Sequence, residues 1–382
     1  MLYTRELLEE NERKTLAPYA SFAGDSRGRI HPEDESRYRT SFQKDRDRVI
    51  HTSAFRRLEY KTQVFVNYEG DYYRTRLTHT LEVVQVGKSI SRALGLNEDL
   101  TETIALAHDL GHPPFGHAGE RTLNRLAKEV GGFDHNKQSL RVVTELEQRY
   151  PHFPGLNLTW ETLEGIMKHE TEYDVPDTDW EPEKQPGLEA QVVNIADELA
   201  YNAHDLDDGL RSGHLKPQQI IEIPIIGELM RKLNINPNTF TNQERYILIR
   251  ELLGNIIEDA IYHTNACLKD LNIGSIEDVR NAEHKIINSS PEMRERLSEL
   301  KQFLYQNFYF HYRLIRMTKK ADHILERIFD AYMESPNMLP PEVRAATQKR
   351  SAIRAVTDYL ASMTDRFASD EYERLFDPHA LT

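Results

Sequence analysis

The 382-residue sequence contains a single cysteine, Cys267, and two tryptophans. One cysteine excludes an intrachain disulfide framework, which fits a reducing compartment. No apolar run approaches the roughly 18 residues that a membrane-spanning helix needs. The charged first fourteen residues lack the apolar core of a signal peptide. The sequence therefore predicts a cytoplasmic protein without a membrane partner.

Basic residues are also few, with 48 Lys and Arg against 62 Asp and Glu, so the formal net charge is −14. A chain this acidic is a poor general nucleic-acid binder unless it carries a local basic patch. Residues 37–76 form such a patch, because they hold ten Lys and Arg against five Asp and Glu. Hydrophobic residues make up 39% and charged residues 29% of the chain, which excludes a collagen-like chain and argues against wholesale disorder.

Apolar residues recur at helical spacing along most of the chain, and glycine or proline follows several of these stretches. The predicted helices cover residues 77–94, 98–110, 118–130, 136–150, 159–169, 188–204, 242–271, 291–330 (with a break) and 341–363. Residues 62–68 and 72–75 alternate around a turn, which predicts a short hairpin. Residues 171–187 are rich in Asp, Glu and Pro and predict a surface loop. The pattern as a whole predicts an all-α fold with at most this one β-hairpin.

Three histidines and two acids lie close together in the string His-Asp-Leu-Gly-His-Pro-Pro-Phe-Gly-His-Ala-Gly-Glu over residues 108–120. His108 and Asp109 fall on the last predicted turn of an otherwise apolar helix. A buried carboxylate there is costly unless a cation or hydrogen-bond donors meet it. The carboxyl end of a helix also favours a cation. Imidazole and carboxylate ligands together suit a divalent ion such as Mn²⁺, Fe²⁺, Mg²⁺ or Zn²⁺.

Two ligands make a weak site, so further ligands have to come from other helices. His79 lies near the start of the preceding helix, and Asp197 follows the apolar stretch 193–196. Asp197 taken alone fits a buried acid capped by an arginine better than it fits a metal ligand. The ordered set of His79, His108-Asp109 and Asp197, each on its own helix, is a stronger indication of a divalent metal site.

This order of residues resembles the HD-domain metal-dependent phosphohydrolases. More narrowly, the chain resembles the deoxyguanosine triphosphate triphosphohydrolases and their relatives over roughly residues 36–211. The strings that carry this resemblance are residues 42–51, 55–65, 76–80, 108–120, 134–140 and 197–201. Beyond about residue 215 the resemblance is looser. It implies an HD-domain helical bundle over residues 36–215, preceded by an N-terminal segment, residues 1–35, and followed by a helical region, residues 216–382.

The resemblance implies that His79, His108, Asp109 and Asp197 hold one divalent metal ion, with Mn²⁺, Mg²⁺ and Fe²⁺ left open. It also implies that His117 and Glu120 form the catalytic pair. Three residues apart on a helix, the two share a face, and a carboxylate suits a histidine that acts as general acid or base. The alternative for His117 is a cap at the start of its helix.

The resemblance further implies a set of substrate contacts. His112 and His135 lie beside the triphosphate, or else serve only in packing and hydrogen bonding. Tyr201 stacks under a deoxyribose, and Asp205 accepts from its 3′-hydroxyl; packing in the core is the alternative for Tyr201. The remaining predicted contacts are Arg57, Lys61 and Arg76 to phosphates and Gln63 to a sugar or base edge.

The implied activity is hydrolysis of a deoxynucleoside triphosphate (dNTP), either dGTP or another, to deoxynucleoside and inorganic triphosphate. A homo-oligomer, tetramer or hexamer, and a second dNTP as allosteric effector are implied partners. One alternative is a different HD-domain hydrolase, acting on nucleoside monophosphates or on cyclic or signalling nucleotides. Another is a non-catalytic nucleotide sensor or nucleic-acid scaffold; the intact ligand set argues against it, while the basic stretch leaves single-stranded DNA open.

Overall fold

In a computed structural model, the chain is described over residues 2–63, 74–169 and 180–380. These residues form 18 α-helices together with isolated β-bridges, and the described part of the chain has no strand. The predicted all-α fold is therefore confirmed. The predicted hairpin falls mainly on residues 64–73, outside the described residues, while Thr62 and Thr75 at its ends pair as an isolated antiparallel bridge. Residues 171–179 of the predicted loop also lie outside the described part.

The helices are numbered here in chain order. Those of the first half are α1 (Arg5–Thr15), α2 (Ser41–Ile50), α3 (Ser53–Arg57), α4 (Arg76–Leu94), α5 (Glu98–Ala107), α6 (Gly116–Leu126), α7 (His135–Arg141), α8 (Trp160–Met167) and α9 (Leu188–Arg211). Those of the second half are α10 (Pro217–Ile220), α11 (Pro224–Lys232), α12 (Asn242–Asp270), α13 (Ile276–Arg280), α14 (Pro291–Leu304), α15 (Tyr312–Glu334), α16 (Pro341–Thr347), α17 (Ala352–Ser362) and α18 (Asp365–Phe376). Single π-helical turns, Val142–Leu146 and Tyr305–Tyr309, follow α7 and α14.

Several helix ends differ from the sequence prediction. Helix α5 ends at Ala107, because Leu110 and His112 each donate to a carbonyl three residues earlier and so form tighter turns. His108 and Asp109 therefore lie in the turn beyond the helix and not on its last turn. Helix α9 continues past residue 204 to Arg211 and ends before Gly213, whose positive φ of 72° is typical of a helix terminus.

The described residues group into two compact units. The first unit comprises Met1–Arg48, Thr80–Leu106 and Asn157–His311. The second comprises Val49–His79, Ala107–Leu156 and Tyr312–Thr382. The domain boundaries predicted from the sequence stay a prediction. Within the described residues, every helix is too short or too polar to cross a membrane.

In the first unit, α9 is the central helix, and α8, α12 and α14 pack against it. It is buried along almost its whole length although it carries several acids. Buried acids are costly unless donors meet them. Glu189 accepts from the Ser21 amide at 2.9 Å and the Asn97 amide at 3.0 Å, and Asp207 accepts from Arg245. The central helix of this unit thus buries acids whose carboxylates accept hydrogen bonds.

In the second unit, α15 packs against α6, α17 and α18 around an apolar cluster. Leu123 of α6 and Leu325, Ile328 and Phe329 of α15 belong to this cluster. At about 25 cal/mol for each Å² of apolar surface removed from water, such contacts supply most of the stabilisation of a helix pair. One face of α6 is therefore fixed in the core, while His117 and Glu120 lie on the same helix outside this apolar cluster.

Candidate metal and catalytic centre

Three predicted metal ligands come together in the second unit. His79 lies in the first turn of α4, and His108 and Asp109 lie in the turn after α5. Each offers one ligand atom, and these three atoms lie within 4.8 Å of one another. Bonds of about 2.0–2.2 Å to nitrogen and oxygen ligands place two ligands of one ion up to about 4.4 Å apart. Shifts of a few tenths of an ångström would bring all three atoms onto one ion, and their mixed donor set suits a divalent metal.

The Asp109 carboxylate is the electrostatic centre of this cluster. Its Oδ2 accepts from Arg76 Nη1 at 2.9 Å, and its Oδ1 lies 3.0 Å from His112 Nδ1. Burial alone would raise the pKa of Asp109, but the Arg76 guanidinium and the neighbouring His108 and His112 hold it well below its usual range. Asp109 is therefore a carboxylate at neutral pH, which is the form that binds a metal.

The turn that carries His108 and Asp109 is fastened to α7. The Ser139 hydroxyl donates to the His108 carbonyl at 2.7 Å and accepts from the Gly111 amide at 2.8 Å. A Cβ on Gly111 would collide with the Ser139 amide and the His135 carbonyl. Only glycine lets the turn approach α7 this closely, so the position of both ligands depends on this contact.

The predicted catalytic pair is in contact and has a third member. His117 Nδ1 lies 3.4 Å from Glu120 Oε2, and the other carboxylate oxygen accepts from the His135 amide at 2.8 Å. The same oxygen lies 2.9 Å from His135 Nδ1. Burial opposes ionisation of Glu120, but His135, together with His117, holds the pKa of this carboxyl well below its usual range. The contact between Glu120 and His135 is one that the sequence analysis missed.

His112 connects the two clusters. Its ring centroid lies 3.8 Å from that of His135 and 5.7 Å from that of His117. Burial, reinforced by the positive charge of Arg76 and by His135, lowers the pKa of His112 well below its usual value. His112 is therefore neutral at physiological pH and can act as a hydrogen-bond donor without adding charge.

Exposure separates His117 from the other histidines of the centre. Its side chain is 40% exposed, whereas His79, His108, His112 and His135 are all nearly fully buried. A partly exposed imidazole oriented by a half-buried carboxylate can reach a substrate and exchange its proton with water. The geometry thus favours His117 over its neighbours as the proton-transferring group.

The fourth predicted ligand, Asp197, belongs to the first unit. It lies on α9, buried, with its Oδ2 3.5 Å from His169 Nε2 just beyond α8. His169 could not be given a role from the sequence alone. The alternative interpretation of Asp197 expected an arginine beside its carboxylate. The structure places the His169 imidazole there.

The predicted sugar contacts, Tyr201 and Asp205, also lie on α9 in the first unit. Tyr309, from the π-helical turn after α14, stacks with Tyr201 at a centroid distance of 6.5 Å and donates its hydroxyl to Asp205. Burial, with the Asp205 charge, raises the pKa of Tyr309 well above its usual value. Sequence analysis missed Tyr309, although the aromatic-rich stretch 305–312 is a signal that could have indicated it.

The remaining predicted substrate contacts differ in accessibility. Arg57 is exposed at the end of α3 and lines a cavity of about 740 Å³ in the second unit, and Gln63 is buried where the described segment ends. Lys61 is fully buried, and its Nζ donates to the carbonyls of His112 and Ala361. These contacts give Lys61 a part within the protein frame, and a phosphate contact by Lys61 stays a prediction.

Two family models match the chain. The HD domain matches residues 76–202, which contain His79, His108, Asp109 and Asp197, and the phosphohydrolase-associated domain matches residues 287–374. HD domains bind divalent metals, which agrees with the cluster of His79, His108 and Asp109.

Three relatives that match nearly the whole chain are each named deoxyguanosinetriphosphate triphosphohydrolase-like protein. The relative from Geobacter sulfurreducens is 50% identical over 372 residues, which are 96% of this chain and 97% of the relative. The relative from Bordetella pertussis is 48% identical, covering 95% of this chain and 96% of its own length. The relative from Caulobacter sp. strain K31 is 47% identical, with 94% and 96% covered. With this identity over nearly the full length, the chain belongs to the deoxyguanosinetriphosphate triphosphohydrolase-like family of HD-domain phosphohydrolases.

Proposed function

We propose that this protein hydrolyses deoxynucleoside triphosphates to a deoxynucleoside and inorganic triphosphate. The observation that carries the proposal is the contact of two clusters in the second unit. His112 lies 3.0 Å from the ligand Asp109 and beside the rings of His117 and His135. A candidate metal site and a candidate proton donor therefore lie next to each other, as hydrolysis of a phosphate ester needs. The names of the similar proteins support the triphosphate substrate.

His79, His108 and Asp109 would hold the metal, with Asp197 as the fourth ligand that the family pattern implies. When bound, a divalent ion would polarise a phosphate oxygen and lower the pKa of a water molecule. Arg76 keeps Asp109 ionised and orients its carboxylate through the bond at 2.9 Å. This bond holds the Asp109 carboxylate, in its charged form, beside His79 and His108.

In the proposed reaction, water adds to the α-phosphorus and the bond to the 5′-oxygen breaks. His117 would protonate the leaving 5′-oxygen, because its imidazole is the exposed member of the centre. Glu120 holds that ring in place and is itself held by His135. His112 and His135 would donate hydrogen bonds to the phosphates, whose developing charge such donors stabilise.

The direct test is hydrolysis of the four dNTPs, singly and mixed, with Mn²⁺ or Mg²⁺ and chromatographic resolution of the products. We expect deoxynucleoside and triphosphate in equal amounts. In H₂¹⁸O the label should appear in triphosphate and not in the 5′-hydroxyl, because water attacks phosphorus. Faster hydrolysis of one dNTP in the presence of another would indicate an effector nucleotide.

Different products would overturn this proposal. Release of mono- or diphosphates from dNTPs would place cleavage elsewhere in the triphosphate. Hydrolysis only of nucleoside monophosphates or cyclic nucleotides would favour the other class of HD-domain hydrolase. Preparations of His117→Ala serve as the control for contaminating phosphatases, because such activity persists in the variant.

Sugar selection should depend on Tyr201. A tyrosine ring held by Tyr309 presents a flat surface four residues from Asp197, on the same helix face. A surface of this kind, pressed against C2′, leaves no room for a 2′-hydroxyl. We expect the wild-type protein to prefer dNTPs to rNTPs by at least about tenfold, equivalent to about 1.4 kcal/mol. Tyr201→Ala should narrow this ratio and lower the rate on dNTPs.

The matched control for Tyr201→Ala is Tyr262→Ala, which removes an exposed tyrosine of α12. Rates on dGTP and GTP, measured for both variants, give the two ratios. If the ratio of the rates on dGTP and GTP stays at the wild-type value in Tyr201→Ala, Tyr201 only packs in the core and does not select the sugar.

A further inference from the structure

The loop from His112 to Phe115 leads from the metal-binding turn to the helix that carries His117. Phe115 adopts a left-handed conformation, with φ of 65°, and Gly116 follows with φ of 56°. Such a conformation is unfavourable for a residue with a Cβ and persists where surrounding contacts hold it. His117 lies two residues further on, so the direction of its side chain depends on how this loop is held.

Asp365, the first residue of α18, holds the far end of the loop. One oxygen of its buried carboxylate accepts from the Phe115 amide at 2.8 Å. The other accepts from the Thr62 amide at 2.9 Å and from the Thr62 hydroxyl. The three donors come from two segments far away in the sequence, so one carboxylate joins α18 to both. The bond to its amide thereby helps to hold the Phe115 backbone in the left-handed conformation.

Lys61 holds the near end of the same loop. Its Nζ donates to the His112 carbonyl and, at 3.0 Å, to the Ala361 carbonyl near the end of α17. Burial, together with the positive charge of Arg57, lowers the pKa of Lys61 to about 7, while Asp365 favours its charged form. The neighbouring residues Lys61 and Thr62 thus connect both ends of the loop to residues 361–365.

Thr62 also connects this arrangement to the metal-binding side. Its carbonyl accepts from Arg76 Nε at 3.2 Å, while the Nη1 of the same guanidinium binds Asp109. Arg76 cannot move far without breaking one of these contacts. The segment Lys61–Thr62 therefore lies between the C-terminal helices and both parts of the centre.

We propose that Asp365, together with Lys61, is a positioning residue that sets the placement of His117 through the loop 112–115. Residues 361–365, which lie within the match to the phosphohydrolase-associated domain, would then support the catalytic centre without contacting the substrate. The kinetic part of this inference rests on the proposed function. The structural part, which concerns the loop alone, does not.

Asp365→Asn tests the inference. The amide keeps most bonds when its single oxygen faces the two Thr62 donors, so its NH₂ group faces the Phe115 amide and that bond is lost. A misplacement of about 1 Å at a reacting group can cost about 100-fold in rate. We expect kcat to fall by about that factor, with KM for the dNTP and the affinity for Mn²⁺ changed by less than about threefold.

Hydrogen exchange gives a readout that does not depend on activity. Peptides covering residues 108–118 of Asp365→Asn should exchange about tenfold faster than in the wild type, because the Phe115 amide loses its acceptor. Peptides covering α8 should exchange at the wild-type rate. If the wild-type protein hydrolyses no dNTP, the proposed function fails, and the exchange rates still decide whether Asp365 holds the loop.

Glu371→Gln is the matched control. Glu371 lies on the same helix and accepts from the Tyr332 hydroxyl and Arg374. Both variants should lower Tm, but only Asp365→Asn should lower kcat of the folded protein. Thr62→Val removes one bond to Asp365 and should change kcat and exchange in the same direction by a smaller factor. Thr62→Val also tests the inference if Asp365→Asn does not fold.

Two results would overturn the inference. One is a folded Asp365→Asn with wild-type kcat and wild-type exchange over residues 108–118. The other is an equal loss of kcat in Glu371→Gln, because this would show that the effect follows general destabilisation of α18.

Discussion

Asp109→Ala is expected to lose bound divalent metal and hydrolytic activity together. Loss of groups that only support metal ligands typically costs 10–100-fold in metal affinity or activity, so removal of a ligand should cost more than about 100-fold. Asp109 is the only carboxylate of its three-ligand cluster, with Arg76 and His112 oriented towards it. Metal content of the purified variant and its rate on dNTPs measure the effect.

The control for Asp109→Ala is a buried carboxylate outside the centre. Asp45 is fully buried and accepts from Arg29 and, at 2.8 Å, from the Thr159 amide in the first unit. Asp45→Asn and Asp109→Asn remove the same charge from similar surroundings. Both should lower stability, but only Asp109→Asn should lower the metal content of the folded protein. Wild-type metal content and rate in Asp109→Ala would contradict the proposed site.

His117→Ala is expected to keep its metal and lose most of its turnover. General acid–base catalysis is typically worth about 10²–10⁴-fold, and His117 is the exposed imidazole that Glu120 orients. The rate at saturating substrate should therefore fall within that range while metal content stays at the wild-type level. On nitrophenyl phosphate esters, whose leaving group is good, the rate of His117→Ala should fall less. The departing oxygen of these substrates needs no protonation.

His152→Ala is the matched control for this variant, since His152 is an exposed histidine of the second unit outside the centre. Its rate should equal that of the wild type. An unchanged rate for His117→Ala would show that His117 only caps the start of α6. Together, the Asp109 and His117 variants separate metal binding from proton transfer.

The local patterns of the sequence determined the helices and the shorter contacts of the centre. Spacing of apolar residues predicted α4 and α12 closely, because a helix repeats every 3.6 residues and its buried face repeats with it. The contact between His117 and Glu120 follows from the same geometry, since residues three apart share a face. Adjacency alone brought His108 and Asp109 together.

Other features were decided by packing. The end of α5 at Ala107 depends on how tightly the following turn meets α7, where Ser139 and Gly111 touch. No periodic pattern carries such information, because it concerns the space left between two segments. The contact of Glu120 with His135 belongs to the same class, although only fifteen residues separate them.

The sequence by itself thus determined the helical fold, the family and the residue types of the centre. Only the tertiary structure decided which acceptor meets each buried donor. Asp365 meets Thr62 across 303 positions, Lys61 meets Ala361 across 300, and Tyr309 meets Asp205 across 104. Burial requires that each of these polar groups find a partner, but many partners satisfy that requirement equally well. The choice among them is made by the packing of the whole chain, which no local pattern specifies.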